Sequence, residues 1–451
     1  MSRRRKLVLA LGVIVVLMAA ALVAVVSWYR PMLMTGTGYA AHNACAVHFL
    51  TGRDDPGADL PPNPLVPVLR TEIDEDAGTA SASVLGVAFR QTAHVSEHGC
   101  ALGGRATGAD RTPPPDPIPA SPATEPRGIS LPPAADPPAE VRAALEEAAR
   151  VDGTRGLVVV HDGRIIDEWY ADGFGPHTRQ LGWSMAKSVA STLVGRAQLE
   201  FPAADLDPAA TNLRPEWTDD RAEISLDQLL RMTSGLEWDE DYALGTPITR
   251  MLFSEPDMAA FAAAQPLAHQ PGRFRQYSSG TTNIVCDLLH ERTGLGPEIA
   301  DELLFQPLGM DSAVLEADAS GRSVCSSYLW ATPRDWATFG QFALDDGQVD
   351  GRRLLPEGWM DYATTVVPAE GEPEPYGAQW WVNDPGDGTP PRLPRMPVDA
   401  FWASGHDGQY VVVVPSADLV VVRTGFTPGS TIDTVGIDQL VDALVRGTSG
   451  S

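Results

Sequence analysis

The sequence predicts an α+β fold: an antiparallel sheet built from both ends of the main domain, flanked by helices with a mostly helical insert, and preceded by a transmembrane helix. Three observations predict it. Hairpin patterns stand near residues 162 and 416, helical periodicity fills the interval, and one apolar run near the N-terminus is long enough to cross a bilayer.

That run comes first in the chain. Leu7 to Trp28 continues for 22 residues without a charge, and about 20 apolar residues span the hydrocarbon core as helix. Arg3, Arg4, Arg5 and Lys6 precede it, and Trp28, Tyr29 and Arg30 follow. The basic cluster favours the cytoplasm and the aromatic pair the far interface. Residues 1–30 are therefore expected to be a single-pass anchor in the cell membrane, N-terminus cytoplasmic, with the remaining chain extracytoplasmic. A cleaved signal peptide is the rival reading, but its apolar core usually runs only about 7 to 15 residues and ends at a small-x-small site that is missing here.

The chain carries 33 basic and 59 acidic residues, net −26, and five of the basic ones lie in the first 30 positions. So acidic a body repels phosphate backbones, which excludes nucleic acid as a partner.

Residues 31–111 read as an extracytoplasmic extension in which Ser81 to Arg90 alternates like a strand and little else could close a core. Cys45 and Cys100 bracket this region and are the disulfide candidates, which an exported chain permits. Cys286 and Cys325 are expected to be small buried hydrophobes, and none of the four shows zinc-ligand spacing. Residues 112–138, TPPPDPIPASPATEPRGISLPPAADPP, hold too many prolines for a ladder or a helix and read as a linker or strap.

The main domain is expected over 139–451. Ala139 to Val151 has helical spacing, and LVVVHDGRIIDEWY then gives two β-rich runs around Asp162-Gly163, a hairpin turn. YVVVVPSADLVVVRTG repeats the arrangement around Pro415 to Asp418. Between them Met185–Leu199, Ser225–Met232, Asp257–Ala264, Thr282–Arg292 and Pro333–Leu344 carry helical patterns.

Three motifs carry chemistry. Ser184-Met185-Ala186-Lys187 opens a helix, which sets a hydroxyl and an amine on one face of its first turn. A serine hydroxyl needs a base, and a lysine serves only if burial or positive neighbours lower its pKa. Lys6 and Lys187 are the only lysines of the chain, and arginine, which takes every other basic position, cannot give up its proton. Tyr277-Ser278-Ser279 stands at a loop-to-helix junction, where a phenol beside a lysine can shuttle a proton. Gly405-His406-Asp407-Gly408-Gln409 precedes the last hairpin, and glycines at a strand edge admit another backbone. The blander readings are a surface lysine, a packed aromatic and an ordinary turn.

Together, in this order and spacing, the three motifs resemble the serine β-lactamase and penicillin-recognising superfamily. ISLDQLLRMTSGL at 224–236 and SSYLWATPRDWATFG at 326–340 resemble its other helices, and the likeness covers roughly residues 140–445. Glu240-Asp241-Tyr242, with the His-containing stretch ending in Gly408-Gln409, is most similar to the 6-aminohexanoate-dimer hydrolase branch, which sits with class C β-lactamases and family VIII carboxylesterases.

The resemblance implies a β-lactamase/transpeptidase-like fold, Ser184 as acylated nucleophile, Lys187 as base and Tyr277 as proton shuttle. It also implies substrate-binding roles for Tyr242, His406, Gly408 and Gln409, with the Ser184 N–H and that of His406 or Gln409 holding the oxyanion. Neither metal nor organic cofactor is implied. Ser279, where lactamases carry asparagine, and the lack of a lysine at 405–408 both count against lactamase activity. The expected function is hydrolysis of a small amide or ester. A cell-wall peptidase or carboxylesterase, or a penicillin-binding-like envelope protein without turnover, are the alternatives.

Overall fold

Helical order in the apolar N-terminal run does not stop where the membrane would. The computed structural model describes residues 3–103, 129–133 and 138–448, and its first helix, α1 (Arg3–Cys45), continues well past residue 30. Described side chains from Leu11 to Arg30 are exposed, whereas Thr35 to Val47 are buried in the body. The segment expected as an anchor is thus the outer half of a longer helix whose inner half is core. Among the described residues one helix is long and apolar enough to cross a membrane.

The inner half of α1 lies on a four-stranded antiparallel meander of β1 (Leu69–Asp74), β2 (Thr79–Val84), β3 (Ala88–Ser96) and β4 (Gly99–Leu102). A single strand is expected from Ser81 to Arg90, but the chain reverses within it. Gly86 takes φ 79° and Leu85 φ 52°, a left-handed turn that alternation of apolar residues does not reveal. Small side chains, Ala40, Ala41 and Ala44 against Ala80, Ala82 and Ala93, let helix and sheet approach closely.

Cys45 bridges to Cys100, tying α1 to β4. The expectation for the other two cysteines is corrected, because Cys286 and Cys325 are also joined, with Cα atoms 6.2 Å apart. Packing of one helix against a distant loop creates that bridging distance, and nothing in the linear spacing announces it.

Of the Pro-rich segment, only 129–133 and Pro138 fall among the described residues. Ile129 N–H donates to the Leu308 carbonyl, and Pro133 pairs in parallel with Ile165. This stretch therefore runs along the body.

After α2 (Ala139–Ala148), strands β5 (Thr154–His161) and β6 (Arg164–Tyr170) form the first hairpin. Helices α3 (Met185–Glu200), α4 (Leu226–Leu230), α5 (Pro247–Ser254), α6 (Met258–Ala263), α7 (Ser279–Thr293) and α8 (Pro333–Leu344) follow. Strands β7 (Trp381–Val382), β8 (Phe401–Gly405), β9 (Gln409–Val414) and β10 (Leu419–Gly425), then α9 (Ile437–Thr448), complete the chain.

The sheet runs β7-β8-β9-β10-β5-β6, antiparallel throughout, so both ends of the domain meet at β10 and β5. Its two faces follow the period of two. Val158, Val160, Val411, Val413, Val420 and Val422 pack in the core that contains α3 and α8. Leu157, Val159, Val412, Val414, Leu419 and Val421 pack with α2 and α9 on the other.

Candidate active site

Helix α3 is buried along its first thirteen residues, Met185 to Ala197, so whatever side chains it presents at its start are held rigidly. Ser184 is its N-cap residue and keeps a helical backbone, with φ −66°, and its hydroxyl makes no cap bond. Trp183 just before it is left-handed, φ 49°, an unfavourable conformation for a bulky side chain that its packed ring must sustain.

Three residues on, the Lys187 amine lies 2.9 Å from Ser184 Oγ, 2.8 Å from Ser279 Oγ and 3.0 Å from the Ser326 carbonyl. Only 1 % of Lys187 is exposed. Burial pulls its pKa down from 10.5 to about 8, against the attraction of the Glu240 carboxylate. A neutral amine placed so can accept the Ser184 proton while donating to the other two oxygens.

Tyr277 precedes α7. Ser278 caps that helix by accepting from Thr281 N–H at 3.1 Å, which fixes where the Tyr277 ring leaves the chain. The ring stacks on Trp381 at 5.4 Å, and the Lys187 amine stands 4.8 Å from its centre. Burial, then Glu240, pushes the phenol's pKa well up, while hydrogen bonding with Ser184 opposes them. At neutral pH the phenol keeps its proton.

Glu240 connects the two motifs, and sequence reasoning did not assign it this place. Its carboxylate accepts from Ser279 Oγ at 2.5 Å, Ser279 N–H at 2.9 Å and Trp238 Nε1 at 2.6 Å. Ser279, in turn accepting from Lys187, completes a line of hydrogen bonds from Glu240 to Ser184.

Tyr242 and His406 both line the cleft, their rings stacked on each other at 4.2 Å. Burial, then Glu240, raises the pKa of the Tyr242 hydroxyl, while hydrogen bonding with Ser279 opposes them. Burial lowers His406 to about 4 and raises Asp407 to about 7. Their 3.3 Å contact therefore joins a neutral imidazole to a carboxyl group.

A cleft of about 570 Å³ is lined by Ser184, Tyr242, Tyr277 and His406, together with Trp381 and Trp402. Gly408 and Gln409 lie behind it. The Gln409 amide is turned to Gly425 of β10, donating at 2.6 Å, and a Cβ at Gly408 would meet the Arg423 guanidinium at 2.4 Å. Gly405 admits the chain's own backbone: a Cβ there would lie 2.1 Å from the Gly182 carbonyl, so glycine alone lets β8 close on the loop before Ser184. Among the described residues no cluster of metal-ligating side chains occurs.

Comparison with known proteins places this arrangement. The family model described as Beta-lactamase matches residues 141–431. A 6-aminohexanoate-dimer hydrolase of Paenarthrobacter ureafaciens is 26 % identical over 313 residues, which are 63 % of this chain and 75 % of that one. Among solved structures, a penicillin-binding protein homolog from Caulobacter crescentus shares the fold with TM-score 0.54 and 18 % identity, covering 70 % of this chain and 99 % of its own. A family VIII carboxylesterase does so at 0.52 and 17 %, covering 68 % and 96 %. A buried Ser-Lys pair at the head of a core helix, in a chain whose main domain matches this model along most of its length, identifies it: the chain belongs to the beta-lactamase family and is a serine hydrolase.

Proposed function

We propose that the protein hydrolyses an amide or ester through an acyl-enzyme on Ser184. The observation that carries this is the buried Lys187 amine, 2.9 Å from Ser184 Oγ with its pKa near 8. In acylation Lys187 takes the Ser184 proton, Oγ forms a bond to the substrate carbonyl carbon, and the carbonyl oxygen becomes an oxyanion. The Ser184 N–H at the open end of α3 and the His406 N–H are the donors that hold it, His406 rather than Gln409 because it lines the cleft. Collapse breaks the bond to the leaving nitrogen or oxygen, which takes a proton from Tyr277 as Lys187 restores that of the phenol. Water then adds to the acyl-enzyme by the same steps and releases the acid and free Ser184.

Tyr242, which lines the cleft with Ser184, supports an amide substrate whose N–H its phenol oxygen would accept. The P. ureafaciens relative, named for hydrolysis of an amide dimer, agrees with that preference. The test is a panel of p-nitrophenyl esters, p-nitroanilides and a β-lactam, with Ser184→Ala alongside. Turnover of anilides or esters that the variant loses is the expected result, and turnover of the β-lactam alone would overturn the assignment of substrate class.

We further place the body outside the cell, with α1 spanning the membrane and its N-terminus in the cytoplasm. Two disulfides support an oxidising compartment, and the basic cluster Arg3–Lys6 supports the orientation.

A further inference from the structure

The cleft opens beside the point where α1 leaves the body. Leu244 and Gly245 follow Tyr242 by only two and three residues. Leu244 packs with Met32, Leu33 and Leu65, and Gly245 sits so tightly on α1 that a Cβ would lie 3.3 Å from the Met32 nitrogen. Deeper along α1, the Tyr39 ring is 6.1 Å from that of Trp183, the neighbour of Ser184. The same helix therefore carries the exposed apolar stretch and two supports of the active site.

Its geometry gives a height above the bilayer. With Trp28 and Tyr29 at the interface, Met32 stands about 6 Å further along the axis and Tyr39 about 16 Å. A headgroup layer is about 5 to 7 Å deep on each side of the hydrocarbon. The Tyr242–Gly245 wall thus lies where headgroups meet water.

A second apolar feature lies at that level. Strand β2 runs antiparallel to α1, with Ala80 beside Ala44 to Val47, Ala82 beside Ala40 and Ala41, and Val84 in the cluster of Met32 and Leu33. The next residues, the tip of the β2–β3 hairpin, therefore point along α1 toward its exposed half. That tip holds Leu85, 65 % exposed, and Val87, 87 % exposed, in place of the polar residues a free turn favours.

We propose that the β2–β3 tip is seated in the bilayer interface beside α1, and that the substrate is an amphiphilic amide or ester taken from the membrane leaflet. The bilayer is the occupant because the tip continues the apolar surface of α1, whose side chains from Leu11 to Trp28 are exposed wherever described. The substrate leaves the leaflet through the headgroup layer past Tyr242, and its scissile carbonyl moves on to Ser184, beside the Tyr39–Trp183 contact. The substrate half of this inference rests on the hydrolase reading above, whereas the seating of the tip does not.

The test uses the full chain in nanodiscs of palmitoyl-oleoyl phosphatidylcholine doped with a phosphatidylcholine bearing a diazirine on an acyl carbon next to the glycerol, at the interface. Photolysis is expected to label the tryptic peptide 71–90 as well as α1. Labelling of α1 without 71–90, or of neither, overturns the seating. In the same discs, Leu85→Asp/Val87→Asp is expected to raise KM for bilayer-partitioned p-nitrophenyl dodecanoate about tenfold and to leave p-nitrophenyl acetate unchanged. Equal effects on both esters, or none on either, overturn the amphiphile. Wild type inert toward both esters sinks the hydrolase reading itself, and the photolabel still decides where the tip lies.

Discussion

The closeness of Ser184 and Lys187 was legible from sequence because three residues on a helix is a local distance, and a lone lysine among arginines in the body makes it a candidate base. Glu240 was not, since its route to Lys187 runs through Ser279, 39 positions away in the chain. Only tertiary packing brings them together. The line Glu240–Ser279–Lys187 makes a signed prediction. Lys187 is neutral above its pKa of about 8, so the rate of Ser184 acylation should rise with pH through that value. Glu240 favours the ammonium, hence Glu240→Gln, which keeps an oxygen for Ser279, should move the rising limb to lower pH. Acylation kinetics between pH 6 and 10 check both, and a limb that moves upward in the variant contradicts the assigned direction.

At the scale of elements, the hairpins were readable from turn chemistry and from unbroken valine runs. Strand β8 and helix α5 were not, because Gly405 makes the end of the one read as a turn, and Gly245, Pro247 and Pro256 make the surroundings of the other read as loop. The Cys286–Cys325 bridge belongs to this scale. It joins α7, whose first residue is Ser279, to the loop whose Ser326 carbonyl accepts from Lys187. Its loop of 40 residues is expected to contribute about 3 to 4 kcal/mol through the unfolded chain. Cys286→Ala/Cys325→Ala should therefore lower Tm by several degrees and slow acylation more than it weakens ester binding. Calorimetry together with a KM-against-kcat comparison separates the two effects, and unchanged kcat would show that the bridge acts on stability alone.

The whole molecule departs most from a reading by segments. Composition divides it into anchor, extension, linker and hydrolase, yet one helix, α1, carries both the apolar run long enough to cross a membrane and part of the core, with Tyr39 stacked on Phe253 at 4.2 Å inside the main body. The reason is physical: an apolar helix reads alike whether lipid or protein covers it. Deleting residues 1–30 keeps the α1 residues that pack in the body, Met32 onward, and should leave a folded, soluble enzyme. Deleting residues 1–47 uncovers the alanine-lined face of the meander and the Tyr39 site, and should yield aggregated or unfolded protein by size-exclusion chromatography and circular dichroism.

The central claim is that Ser184, activated by Lys187, becomes acylated. Intact-mass analysis of the folded chain after reaction with a fluorophosphonate tests it most directly, with Ser184→Ala and Lys187→Arg as companions. The account predicts one adduct on wild type, mapped to Ser184, with fluoride as leaving group, and none on either variant over the same time. A folded wild type that stays unlabelled, or a Lys187→Arg variant labelled as fast as wild type, would contradict it.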